Sequence, residues 1–313
     1  MFANVIVGVD GQPSGHDAIV LAAQLMDPDG QLSLANIHHY DEAISSALGT
    51  DQLTSKLHLK SMELLEHERT AASIDALLLS EPAPSTGAGL HHLIETHHAD
   101  LLVIGSCRRG FIGRIFLGDD TRAALSGAAC AVAVAPSGYA HSVESDQIAV
   151  IGVGYDGSAE SDQALALARS LARMHGARIQ ALMVMGIPPS ACMQPEPLGF
   201  GLTAPFASLE TLDAVLDCAK EQMDALQEVE GHAVWGLAGE ELAAFSGQVD
   251  LLVVGSRQYG PLQRLMLGSA SKHLVRTARC PLLLAVRTDV ISQSTAADEE
   301  DIIVREDLES APL

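Results

Sequence analysis

Apolar positions along this chain fall into short unbroken runs, separated by stretches with a helical period. Residues 4 to 10 and 148 to 155 are apolar runs bounded by Gly, and both read as strands buried on two faces. A period near 3.6 follows each run. Ala18, Leu21, Ala22 and Leu25 share one predicted helical face, and so do Ala164, Leu167, Ala168 and Leu171. Second apolar runs span Leu32 to His38 and Ile179 to Met185. Later runs, Leu101 to Gly105 and Leu251 to Gly255, lead into Gly-bearing loops and further helices. Closing runs occupy Ala131 to Ala135 and Leu282 to Val286. Strands alternating with helices predict parallel βαβ units, and hence an α/β chain of open, doubly wound parallel sheets.

The pattern occurs twice. Leu101-Leu102-Val103-Ile104-Gly105-Ser106 returns as Leu251-Leu252-Val253-Val254-Gly255-Ser256 at an offset of 150. Phe116-Leu117-Gly118-Asp119 returns at the same offset as Met266-Leu267-Gly268-Ser269, and Cys130 returns as Cys280. Near the front, the run ending Val9-Asp10-Gly11 matches the run ending Tyr155-Asp156-Gly157. We therefore expect two consecutive domains, residues 1–138 and 147–288, joined by a linker at 139–146. Residues 289–313 carry eight acidic residues and one Arg without periodicity, and read as a disordered tail. Both closing runs are too apolar for exposed sheet edges, so the two copies are expected to pack against one another as a pseudo-dimer, with higher oligomers open.

Composition narrows the function. A chain of 313 residues at 48% hydrophobic content can form two cores, and 4% aromatic content makes them aliphatic. The formal net charge of −22 argues against nucleic acid or acidic membranes as partners. The five Cys show no pairing pattern, and the N-terminus lacks a basic stretch ahead of an apolar one. No apolar run reaches the roughly 18 residues of a membrane span. The expectation is a cytoplasmic chain.

In doubly wound sheets ligands bind outside the carboxyl ends of strands, where strand order reverses. The turn after the first strand, the end of the second, and the Gly loop should converge there. Each loop ends on Gly followed by a residue that should open a helix, and a helix N-terminus attracts anions. Gly105 and Gly255 allow close backbone approach. Gly268-Ser269 offers an N–H and a hydroxyl to phosphate oxygens. The residues point to a phosphate-bearing ligand held largely by backbone.

This arrangement resembles the universal stress protein family in its tandem form, over most of residues 3 to 287. The resemblance rests on Val9-Asp10-Gly11 and Tyr155-Asp156-Gly157-Ser158. It rests also on a loop spaced Gly-x2-Gly-x9-Gly-Ser/Thr, and on Cys280-Pro281 before the last strand. It implies an adenine nucleotide alpha hydrolase-like fold of five parallel strands and a role in the stress response. It also implies ATP or a related adenine nucleotide, with Mg as its only accompanying metal. By that resemblance Asp156 holds the adenosine, Val184 contacts the base, and Gly255, Gln258, Gly268 and Ser269 surround the phosphates. The matching positions in the first copy are Asp10, Ile37, Gly105, Arg108 and Gly118.

Both copies depart from the spacing. The middle Gly is Arg108 in one and Gln258 in the other, a change worth roughly 1–2 kcal/mol if a left-handed residue is needed. The final Ser/Thr survives as Ser269 but is Asp119 in the first copy. A carboxylate there occupies the anion site itself. It would repel a phosphate about 4 Å away by roughly 4 kcal/mol at an effective dielectric near 20. The second copy is therefore the expected nucleotide site, and the first a degenerate one.

Other readings are weaker. Asp10 and Asp156 also suit simple Asp-Gly turns. His91, His92, His97 and His98 are expected on one helix, with His91 and His98 on one face about 10 Å apart, a poor distance for shared ligation. Glu95 between them on that face keeps a weak metal site open beside the default of a solvated face. Met183, Met185, Cys192 and Met193 read as core rather than as a soft-metal site. Cys107 beside Arg108 and Arg109 has surroundings that favour a thiolate. Because the chain shows no nucleophile–base pair and no Gly-Lys-Ser/Thr loop, catalysis is not expected. The alternatives are a nucleotide-free scaffold acting by association and a slow ATPase.

Overall fold

The computed structural model describes residues 2–39, 51–106, 115, 125–142, 148–186, 209–258 and 265–286. The first half runs β1 (Phe2–Gly8), α1 (Pro13–Leu25), β2 (Met26–His39), α2 (Asp51–Ala72), β3 (Leu77–Ala83), α3 (Thr86–His97), β4 (Leu101–Gly105) and β5 (Ala131–Ala135). A short helix α4 (Tyr139–Ser142) follows. The second half runs β6 (Val150–Gly154), α5 (Ala159–His175), β7 (Arg178–Met185), α6 (Leu209–Asp224), β8 (Glu230–Trp235), α7 (Ala238–Phe245) and β9 (Leu251–Gly255). It ends with the two-residue strands β10 (Arg257–Gln258) and β11 (Leu265–Met266), then α8 (Ser269–Thr277) and β12 (Leu282–Ala285).

Central strands are the apolar runs, because helices cover both faces of a parallel sheet. Residues 101 to 104 and 251 to 254 are all buried. Ala18, Leu21, Ala22 and Leu25 of α1 are fully buried, as are Ala164, Ala168 and Leu171 of α5. Leu167 is half-buried instead, and Leu165 takes the core position.

Each half has strand order 3-2-1-4-5, the second copy reading β8-β7-β6-β9-β12. Order reverses between β1 and β4, and again between β6 and β9. The halves do not stand as separate sheets. The closing strands β5 and β12 pair antiparallel, giving one ten-stranded sheet among the described residues. Their register is Val132↔Leu284, Ala133↔Leu283 and Val134↔Leu282. Shifted by the repeat offset of 150 with the halves exchanged, the outer two pairings map onto each other and the central one onto itself. The seam is thus isologous, with its pseudo-twofold axis between Ala133 and Leu283. Apolar clusters on both faces run across it: Val5, Val7 and Leu21 share one with Val153, Leu171 and Leu251.

Two aspartates missed by the pattern anchor strand entry. Asp100 accepts from the N–H groups of Ala3 (2.7 Å) and Asn4 (3.0 Å). Asp250 accepts from Ala149 (2.9 Å) and Val150 (2.8 Å). Each ties the start of one strand to the strand that follows it in space.

Several expectations need correction. Part of the expected linker is α4, with Tyr139 buried and its hydroxyl donating to Gln24. Asp17, buried on α1, accepts from the N–H groups of Gly138 and Ala140, both at 2.8 Å. The α3 helix stops at His97, because His98 adopts φ 51° and ends it; His91 and His98 do not share a helical face. The edge strands β3 and β8 were not singled out by the hydrophobic pattern. Arg108, Gly118, Asp119, Cys107, Cys192, Met193 and the tail lie outside the described residues.

Candidate functional site

At the carboxyl ends of β6, β7 and β9, beside the reversal of strand order, lies a cavity of about 500 Å³. Asp156, Val184, Gly255, Gly268 and Ser269 all line it. Of the expected set, Gln258 is not among the described lining residues. Its backbone is part of the β10–β11 ribbon, in register with Leu265, where an open loop was expected.

The turn after β6 explains Asp156 and Gly157 locally. Asp156 Oδ1 accepts from the Ser158 N–H at 3.1 Å and from the Ser158 hydroxyl. Gly157 sits at φ +75°, where other residues are strained. The first half repeats the turn: Asp10 Oδ1 accepts from the Gln12 N–H at 3.0 Å, and Gly11 has φ +74°. Gly255 also has a local cause. A Cβ there would stand 2.6 Å from the Glu160 carbonyl oxygen. The close approach that needs glycine is to the first turn of α5. Gly105 likewise meets the backbone of Ser14 in α1.

Three helix N-termini of the second half contribute to the cavity wall, and they differ. That of α5 is satisfied internally, since Ser158 Oγ accepts from the Ser161 N–H at 3.2 Å, and Glu160 and Asp162 lie in its first turn. The α7 helix has Glu240 and Glu241 in its first turn. The α8 helix has Gly268 as N-cap, no side-chain cap hydrogen bond and no acid in its first turn. Ser269, Ala270 and Ser271 of that turn line the cavity. Positive potential from the α8 backbone therefore faces inward with no carboxylate of its first turn against it.

The apolar part of the lining comes from Leu182, Val184, Ala238, Leu242, Val254 and Leu274. Charged groups among the described lining residues are Asp156 and Glu160. Tyr155, which also lines the cavity, donates its hydroxyl to Asp162 Oδ1 at 2.8 Å. That bond, then burial, pushes its phenol pKa up. Sequence reading gave no role to Tyr155, Ser158, Ser271 or Leu242. Tyr155 and Ser158 stood in the motif after the first strand of the second copy without a role of their own. Ser271 and Leu242 gave no signal, since single Ser and Leu residues are common on any helix.

The first half brings Asp10, Ile37 and Gly105 together with Ser14, Asn36 and Thr86 around about 120 Å³. Asn36 donates to the Val9 carbonyl at 2.8 Å, and the adjoining α3 N-terminus is capped by Ser85 Oγ, which accepts from Ala88. A broader hollow of about 620 Å³ lies toward the amino ends of β7 and β8, near Gln180, Lys220, Glu230 and Gln248, away from the strand ends that bind ligands in such folds.

The sequence profile described as "Universal stress protein family" matches residues 1–136 and 148–287. A universal stress protein from Archaeoglobus fulgidus DSM 4304 superposes with a TM-score of 0.60 at 16% identity, covering 91% of this chain and 99% of its own. A protein of unknown function from Pseudomonas aeruginosa PAO1 gives 0.57 at 13% identity, covering 91% and 92%. At these identities the likeness concerns the fold. A universal stress protein solved in complex with cAMP covers 44% of this chain and 97% of its own, at 23% identity and a TM-score of 0.27.

Proposed function

The chain belongs to the universal stress protein family, and from that premise we propose a stress-response regulator whose second half binds ATP or a related adenine nucleotide. One observation carries the reading: a single cavity joins an apolar wall to the α8 N-terminus, which has no side-chain cap. An adenine suits the wall of Leu182, Val184 and Leu242. The ribose would lie beside Asp156, and phosphate at Gly268 and Ser269. Asp156 and Glu160 oppose added negative charge, so Mg²⁺ bound to the phosphates would help offset it. The first half, with Asp119 at the position equivalent to Ser269, is read as the less suited of the two.

The reading goes with a cytoplasmic chain that takes a small-molecule nucleotide. The net charge of −22 disfavours nucleic acid and anionic membranes as partners in this reading. Among the described residues no helix is long and apolar enough to cross a membrane. One observation favours the scaffold alternative: Asp156 and Gly255 both have structural roles that need no ligand. Gentle purification followed by mass spectrometry of released small molecules separates the two. An adenine nucleotide near one per chain is the expected result. A chain that carries none, and takes up none when MgATP is added, acts by association alone.

A further inference from the structure

Both backbone groups of Leu265 are bonded to the other half of the chain. Its N–H donates to the Ala128 carbonyl at 2.9 Å, and its carbonyl accepts from the Gly127 N–H at 2.9 Å. Its side chain is fully buried in an apolar cluster with Ile115, Leu125 and Ala128 of the first half. The contact has a mirror. Ile115 donates its N–H to the Ala278 carbonyl at 2.9 Å. Positions 115 and 265, and 128 and 278, are equivalents under the repeat offset of 150. Each half thus pins the loop of the other about the pseudo-twofold axis.

Leu265 stands three residues before Gly268, the N-cap of α8. Whatever fixes β11 in place therefore fixes where the first-turn N–H groups of α8 point. The pinning residue is itself constrained. Gly127 has φ +100°, and a Cβ there would stand 3.2 Å from Cε1 of His91. Most of the apolar lining of the cavity is built differently, on β7, β9 and α7, all elements of the second half, with Leu274 of α8 the exception.

We propose that Gly127 and Ala128 of the first half are positioning residues for the phosphate end of the nucleotide site in the second half. The proposal rests on the nucleotide reading above. It gives the first half a role that does not require it to hold ligand. It also separates the two ends of the ligand: loss of the clamp misaims α8, while the base wall keeps its shape. Strain at Gly127 should therefore be felt by phosphate and not by adenosine.

Calorimetry on the intact chain, with MgATP and with adenosine, tests this. Gly127→Val forces a β-branched residue into the left-handed region. It is expected to lower MgATP affinity by about tenfold or more, with adenosine affinity within about twofold of wild type. Gly127→Asn, which tolerates positive φ better, should recover part of the MgATP affinity and serves as the test if the Val variant does not fold. Equal losses for both ligands would reduce Gly127 to a general structural role and overturn the proposal. So would unchanged MgATP affinity in a folded Val variant. A wild-type chain that binds neither ligand overturns the nucleotide reading itself, and the clamp's role with it.

Discussion

His38 lies at the carboxyl end of β2, facing α2, and is buried. Among the described residues neither ring nitrogen has a hydrogen-bond partner, and the same holds for the hydroxyls of Ser61 and Ser80. Strand alternation and the burial of α2 put all three in one layer, between α2 and the β2–β3 edge. The His38 and His58 rings stand 6.4 Å apart, edge to face. Burial, then the charge of His58, lowers the His38 pKa, while Glu81 opposes them. The sign follows. The unfolded chain takes up a proton near pH 6.5 that the folded chain refuses, so stability falls as pH drops below about 6.5, until the folded pKa is reached. Replacing His38 with Leu removes this dependence. Urea midpoints at pH 7 and pH 5.5 should converge for His38→Leu and stay apart for wild type; equal spacing in both would contradict the account. The residue scale is also where sequence reading was least specific. Asp156 and Gly255 were expected as ligand contacts and do line the cavity, yet a turn hydrogen bond and a helix backbone already explain them. An Asp-Gly pair in a sequence does not say which of the two purposes it serves.

At the scale of elements, strands that the sequence made legible are those buried on both faces. Leu101 to Ile104 needs no context to be read as a central strand, because two covering helix layers exclude polar residues. The edge strand β8, Glu230 to Trp235, alternates poorly and carries Glu230 and His232, as an edge facing solvent permits. Its residue types hid it. The anchoring aspartates were hidden for another reason: one acid ahead of an apolar run looks like a loop residue until the N–H groups that it meets are known. Asp250→Ala removes two hydrogen bonds to a charged acceptor at the mouth of β6. Because Asp250 is exposed and water replaces part of the loss, the expected cost is about 1–2 kcal/mol, read as a lower urea midpoint with unchanged slope. A midpoint within error of wild type would mean that solvent replaces both bonds at no cost.

For the whole molecule, the repeat in the sequence foretold two similar halves, and the apolar closing strands foretold where they meet. What it could not convey is that the sheets fuse and that the loops cross, since both depend on register: Val132 opposite Leu284, and Leu265 bonded to Gly127 and Ala128. Apolar clusters are continuous across the seam, so the core of each half packs directly on that of the other. The chain is therefore expected to melt as one cooperative unit. Scanning calorimetry should give a single transition with calorimetric and van't Hoff enthalpies equal; two separate transitions would show that the halves are independent.

The central claim is that one half of a near-symmetric molecule binds the nucleotide, because Ser269 leaves the α8 N-terminus open where the other half carries Asp119. Titration calorimetry of the intact chain with MgATP, in wild type and in Ser269→Asp, tests it directly. The substitution puts a carboxylate within about 4 Å of the expected phosphate, a penalty of roughly 4 kcal/mol at an effective dielectric near 20. The account predicts one site per wild-type chain, weakened beyond about a hundredfold in the variant. Two equal sites in wild type, or one site that Ser269→Asp leaves intact, would contradict it.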